Sequence, residues 1–546
     1  MSVSPLRALL RLSALGVITA VSGAVLWRHF DSAKPLPLPA AKADPVLEAS
    51  LTKVNAAFRA SWSSAGLEPT PEADALTLAR RLSLALTGAP PSLEEIRRLE
   101  GLPKGADPVA AWLDHVFADR RSADYLAERF ARAFVGVETG PFLVYRRRRL
   151  VTWLGDQIEA NRPYDAIVRD LVAAEGLWTT RPETNFITVT VVQGGSKEGP
   201  DEMKLAGRTA RAFLGLSLDC VQCHDDPFGD RWKQADFHQL AAFFAPSEIN
   251  LTGIHDHPKK PYETRYLGQT DPVKVPPLVP YDRGLVTPAG SPREQLARWI
   301  TDPGNAPFAR AAANRAWAIL FGKPLVDPVD NLPVDGPFPA GLEELAAEFA
   351  ASGHDLRRLF RLIAMSDLFR RESRSADPDK PTTVEQETTW AAFPLTPLRP
   401  EQVAGSVIQA STLQALDSGT HIIQRLRRFG ETRDFVKRYG DPGEEEFAGE
   451  SGTIPQRLLM MNGKLVRERT EPNPIMNAST RLAKYSPSDE TAVKAAFLAS
   501  LGRYPEASEL GHFTGLLAGR KGNERDRALT DLCWTLINTT EFSWNR

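Results

Sequence analysis

Cys220-Val221-Gln222-Cys223-His224 is the stretch whose residue types and spacing most directly specify chemistry. C-x-x-C-H is the attachment signature of c-type haem. Two cysteines three apart can each bond one vinyl group of the same porphyrin, and the adjacent histidine can present its imidazole to the iron. The chain has only three cysteines, Cys533 being the third, so an accidental match to the pattern is rare. Three other readings stay open. The pair can close into a disulfide in an oxidising compartment. It can hold Zn²⁺ with His224 and a fourth ligand. It can also be a structural turn with no cofactor.

A second iron ligand is not fixed by spacing. His238, His255, His257, Met203, Met460 and Met461 are the candidates, each with core packing or surface exposure as the plainer role. Asp225, Asp226, Asp230 and Asp236 crowd the same segment. They form a solvated acidic rim or, with His224 and His238, a metal-binding or pKa-tuned cluster. Arg208 and Arg211 precede the motif and could meet haem propionates. Phe213, Phe228, Phe243 and Phe244 could enclose the macrocycle and tune its potential. No H-E-x-x-H, G-x-S-x-G, Walker or dinucleotide fingerprint is present. Gly194-Gly195-Ser196-Lys197 has the wrong spacing for a phosphate loop. The four arginines at 146–149 read as a solvated face or a partner contact.

The rest of the chain must position that motif. Lys plus Arg number 66 against 68 Asp plus Glu, a formal charge of −2, so no basic excess exists to neutralise nucleic-acid phosphates. With 42% hydrophobic and 25% charged residues, the composition is globular, and 546 residues suffice for two or three domains. So few cysteines exclude a disulfide-stapled scaffold. Arg7 and Arg11 precede a charge-free run at 12–27, closed by Arg28, which is the pattern of an export signal. A cleaved signal and a retained membrane anchor fit it equally. Both place the bulk of the chain outside the cytoplasm, in the periplasm or at the cell surface.

From about Ser61 helical spacing dominates. Leu76, Leu78, Leu82, Leu84 and Leu86 start it, and the turn around Gly88 and Pro90 stops it. Ser92 with Glu95 predicts a capping box. Further helices are expected near 108–137, 150–175 and 202–219, the last leading into the motif. The β-branched run at 186–192 reads as a short strand or extended loop. Prolines, glycines and aspartates at 246–292 erase any apolar period, which places a domain boundary there. Ala309, Ala313, Ala316, Trp317, Leu320 and Phe321 open a second helical region. It continues with helices at 341–352, 354–370, 399–414, 455–468, 490–501, 506–519 and 524–542, with 440–452 as a loop. The expected fold is mainly α, two helical domains joined by a Pro/Gly-rich linker, with at most minor β content. The expected segments are a signal peptide or anchor (1–30), a tether and linker (31–60), a helical domain carrying the motif (61–250), a Pro-rich linker (251–292) and a C-terminal helical partner domain (293–546).

Several stretches resemble one known family. They include the run from Arg80 to Pro91, Asn161-Arg162-Pro163-Tyr164-Asp165, Phe213-Leu214-Gly215 before the motif, and Trp232-Lys233-Gln234-Ala235-Asp236-Phe237 after it. Asn314-Arg315-Ala316-Trp317, Leu325-Val326-Asp327-Pro328, Thr453-Ile454-Pro455-Gln456 and Met461-Asn462-Gly463 continue the likeness in order. The chain resembles the planctomycetal cytochrome-c-associated family, whose members carry two consecutive domains of unknown function. The resemblance implies an exported, mostly helical bacterial protein with a redox association, and it carries C-x-x-C-H onto Cys220, Cys223 and His224. Asp226 stands where that family often has a second histidine, and His238 where it tends to have an aromatic residue. The expectation is an exported haem c protein that transfers electrons to or from a redox partner protein, with membrane contact through its N-terminal segment. Its alternatives are an extracytoplasmic metal-dependent enzyme acting on polymers, and a surface or assembly protein whose C-x-x-C is a disulfide.

Overall fold

Capping side chains and glycine stops divide the chain into helices. Asp74 accepts from the amides of Leu76 and Thr77 at 2.8 and 3.0 Å and starts Ala75–Thr87 (α1), which Gly88 ends at φ 70°. The predicted capping box forms: the Glu95 amide donates to Ser92 Oγ at 3.1 Å and the Ser92 amide to Glu95 Oε2 at 2.8 Å. Arg121 adds a 2.6 Å bond to Glu95, and His115 lies 3.2 Å from it. Burial would raise the Glu95 carboxyl, but His115, Arg121 and the Ser92 amide outweigh it and hold it at about 2.

The computed structural model describes residues 37–546 apart from 138–139, 193–198, 228, 230, 258–259, 376, 378, 414–421, 444–446, 448–451, 474–476 and the side chains of 422–429. The signal or anchor expected at 1–30, Gly194-Gly195-Ser196-Lys197, Phe228 and Asp230 lie outside the described residues. The fold is mainly α, with small antiparallel strand pairs as its β content. Some expected helices divide. The stretch 108–137 is Pro108–Phe117 followed by Arg120–Val135 (α2), and 150–175 is Arg147–Glu159 followed by Tyr164–Ala173. The run at 186–192 is no strand but continues the short helix Asn185–Thr188, with one bridge from Val192 to Gly199. Glu202–Thr209 (α3) and Gln234–Ala241 (α4) flank the motif. Among the described residues no helix is long and apolar enough to cross a membrane.

The tether expected at 31–60 ends early. Asp44 caps a helix at Pro45–Ala65 whose Leu47, Val54, Phe58 and Trp62 are buried. Their spacings of seven, four and four residues are a helical stripe that the prolines just upstream obscured. The linker expected at 251–292 is folded too. Ser247–Asn250 (β1) pairs with Gly253–Asp256 (β2), and Tyr262–Thr264 (β3) pairs with Val273–Val275 (β4), burying Ile254, Tyr262 and Val275. Strands this short leave no alternation to read among so many prolines.

Packing does not divide the chain at that segment. One hydrophobic core includes residues from Leu38 to Phe393 together with Phe447, among them Trp112, Phe213, Trp299 and Trp317. A second runs from Leu398 to Phe542, with Leu84 reaching in from α1. Charges join the two. Glu401, on the helix Pro400–Ala410 (α5), lies 2.9 Å from Arg129 of α2 and 3.0 Å from Arg399, and accepts from the Tyr125 hydroxyl at 3.1 Å. Burial would raise Glu401, but Arg129, Arg399 and Arg132 together hold it at about 2. Arg132 extends the network, donating to Asp441 at 2.5 and 2.9 Å.

Candidate functional site

The motif hangs from a helix that stops abruptly. α3 passes into a π turn, Ala210–Leu214, which Gly215 closes at φ 64°. The expected helix to 219 therefore ends here, and a 3-10 turn at Asp219–Gln222 begins the motif. Leu216, Leu218 and Val221 are buried and anchor the turn, whereas Cys220 and Cys223 are exposed free thiols. His224 is exposed, with Nδ1 2.7 Å from the Asp225 carbonyl oxygen. A carbonyl can only accept, so Nδ1 carries a proton, and in the neutral ring Nε2 keeps its lone pair.

Side chains on both flanks hold this turn. Arg211 pairs with Asp219 beside Cys220. Gly207 permits the approach, since a Cβ there would lie 2.7 Å from Asp219 Oδ1. The Gln222 carbonyl accepts two hydrogen bonds, from His238 Nε2 at 3.0 Å and Gln234 Nε2 at 3.1 Å. The Gln234 amide donates to Asp225 Oδ1 at 2.9 Å, and the Asp226 amide to the Trp232 carbonyl at 3.0 Å. The neighbouring Arg231 pairs with Asp335.

His238 is 2% exposed, with Nδ1 2.8 Å from the Tyr262 hydroxyl. Burial lowers its pKa, opposed by the Gln222 carbonyl, and burial raises that of Tyr262. Both ring nitrogens of His238 are thus engaged within the protein. Among the described residues, no three His, Cys, Asp or Glu side chains come together as a group able to hold a metal ion, so His224, Asp225, Asp226 and His238 form no such cluster.

The other candidates are dispersed. His255, on β2, lies 2.8 Å from Thr252 Oγ1 and 3.5 Å from Glu175, while Asp256 is bound by Arg293 at 2.6 Å. His257 donates its amide to the Pro246 carbonyl. Met203 is exposed on α3; Met460 is buried in the second core and Met461 exposed beside it. Asp236 caps α4, accepting from the Lys233 amide at 2.9 Å. Arg208 is buried. Phe213 packs against Phe134 and Phe186 at 5.0 and 5.6 Å, and with Phe243 and Phe244 it belongs to the first core, so these rings support the fold instead of lining an exposed cleft.

Tyr262, Gln234 and Gln222 were not singled out by the sequence. The available signal was the four-residue spacing of Gln234 and His238, which places both on one face of α4. Tyr262 had none, because a hairpin brings it to the motif.

Fold and site together define a mainly helical protein that displays a C-x-x-C-H turn on a braced loop. It carries two consecutive domains of unknown function. Residues 53–249 match the family described as PSCyt2, protein of unknown function (DUF1549), and residues 292–428 match PSD1, protein of unknown function (DUF1553). No curated protein and no solved structure matches the chain. The first core spans both matched segments, and Tyr262 falls between them.

Proposed function

We propose that the protein is an exported c-type haem protein of the cytochrome-c-associated kind, which exchanges electrons with a redox partner protein. The observation that carries this reading is the state of the three motif side chains. Two exposed free thiols stand three residues apart, and the His224 Nδ1 hydrogen bond to the Asp225 carbonyl leaves Nε2 available. That donor set fits haem c. Cys220 and Cys223 would hold the porphyrin through thioether bonds, each thiol adding across one vinyl group. His224 would offer Nε2 to the iron, with the Asp225 carbonyl orienting the ring through Nδ1. Haem bound there supplies a one-electron iron couple. The charge-free run after Arg7 and Arg11 supports export, which covalent haem attachment requires in bacteria.

The test is the absorption spectrum of the full chain made with an intact haem-maturation system. A Soret band whose chromophore stays with the polypeptide through denaturing electrophoresis is expected. Colourless protein under those conditions overturns the reading.

A further inference from the structure

We propose that His238 is a positioning residue: it holds the C-x-x-C turn through the Gln222 carbonyl, with Tyr262 fixing its tautomer. Gln222 lies between the two cysteines, and its carbonyl belongs to the peptide bond that leads into Cys223. That oxygen can accept only, so His238 Nε2 must carry the proton across the 3.0 Å contact. Nδ1 is then a bare acceptor, and the Tyr262 hydroxyl donates to it at 2.8 Å. The result is a directed relay from Tyr262 through His238 into the middle of the motif. Aromatic rings confine the imidazole: Tyr262 stacks on it at 5.9 Å, and Tyr266 and Phe237 meet it edge-on at 5.5 and 5.7 Å.

Gln234 donates to the same oxygen and is itself fixed, its Oε1 accepting from the Leu267 amide at 3.1 Å. Both lone pairs of the Gln222 carbonyl are therefore filled, from two residues one helical turn apart on α4. The turn's own hydrogen bonds are longer than these two. The Cys223 amide reaches the Cys220 carbonyl at 3.4 Å and the Val221 amide reaches the Leu218 carbonyl at 3.2 Å. External bracing, not the turn, sets the relative placement of the two thiols. The relay also gives the 251–292 segment a task, since β3 carries Tyr262 to the motif. The purpose of the brace rests on the haem-attachment reading above, but its geometry does not.

The experiment compares the full-length wild-type protein with His238→Leu, His238→Gln and Tyr262→Phe. Ring ¹⁵N shifts should report the Nε2–H tautomer for wild-type His238 and a mixture of tautomers in Tyr262→Phe. Amide exchange at Val221 and Cys223 should rise about tenfold in His238→Leu, with the helix Ala306–Phe321 unchanged. His238→Gln, which retains an N–H donor, should restore most of that protection. In haem-loaded protein, the share of chains with both thioether bonds should fall in His238→Leu and recover in His238→Gln. An Nδ1–H tautomer in the wild type, or unchanged exchange at Val221 and Cys223 in His238→Leu, overturns the proposal. If His238→Leu does not fold, the wild-type tautomer and the Tyr262→Phe shift decide it. If the wild type takes up no haem, that reading fails alone, because the tautomer and exchange measurements still decide the brace.

Discussion

Leu332 donates its amide to the carbonyl of Gly215 at 2.7 Å, tying the second matched segment to the residue that ends the helix before the motif. Gly215 sits at φ 64°, and a Cβ there would lie 2.9 Å from Leu332 Cδ1 and 3.2 Å from Ala311 Cβ. Gly215→Ala combines left-handed strain with a forced shift of that contact. It should lower stability by about 1–3 kcal/mol in urea denaturation. A loss below about 0.5 kcal/mol would show that the glycine is not needed there.

Glu401 makes a second testable seam. Its folded pKa of about 2 lies below the ordinary 4.5, so its contribution to stability is full above about pH 5 and is lost as pH falls towards 2. Glu95 behaves the same way for the same reason. Each shift corresponds to about 3 kcal/mol. Glu401→Gln should cost about 3–5 kcal/mol at pH 7, because it removes the negative charge that the buried Arg129 and Arg399 face. The variant should also lose less stability than wild type between pH 7 and pH 3. Parallel stability profiles for the two proteins over that range would refute the assignment.

These two contacts mark what a sequence can and cannot disclose. The C-x-x-C-H motif and the Ser92–Glu95 box are local patterns, and the structure places them as a turn and a cap. The helical stripes were equally readable, because burial repeats with the helix period. Proline density picked out the interval between the two matched segments but not how it packs. It marked 251–292 as a linker, although Ile254, Tyr262, Val275, Val279 and Tyr281 of that segment pack into the first core. Arg129 with Glu401, and Tyr262 with His238, are pairs made by tertiary approach. Nothing in the residues around Tyr262 announces a histidine partner on α4.

The three cysteines should separate by reactivity. Cys533 is buried in the second core, and burial pushes its thiol up to about 12, whereas Cys220 and Cys223 are exposed. In protein prepared without haem, iodoacetamide at neutral pH should label the two motif cysteines in the folded state and Cys533 only after denaturation. Mass spectrometry of the labelled peptides reads the result. Comparable native labelling of Cys533 would contradict its burial.

The two donors on the Gln222 carbonyl should be energetically coupled. Gln234→Ala leaves His238 on that oxygen, and His238→Leu leaves Gln234, so each single variant keeps one hydrogen bond on a part-buried acceptor. The double variant leaves it with none. Removing the last partner exposes the full desolvation cost of the group, about 1–3 kcal/mol, which neither single variant incurs. The double variant should therefore be less stable than the sum of the singles predicts, by about 1–2 kcal/mol in a double-mutant cycle. Water entering the vacated space would reduce this excess, so Gln234→Met, which keeps the volume while removing the donor, is the sharper partner for His238→Leu. Strict additivity with that pair would mean that the two side chains hold the turn independently.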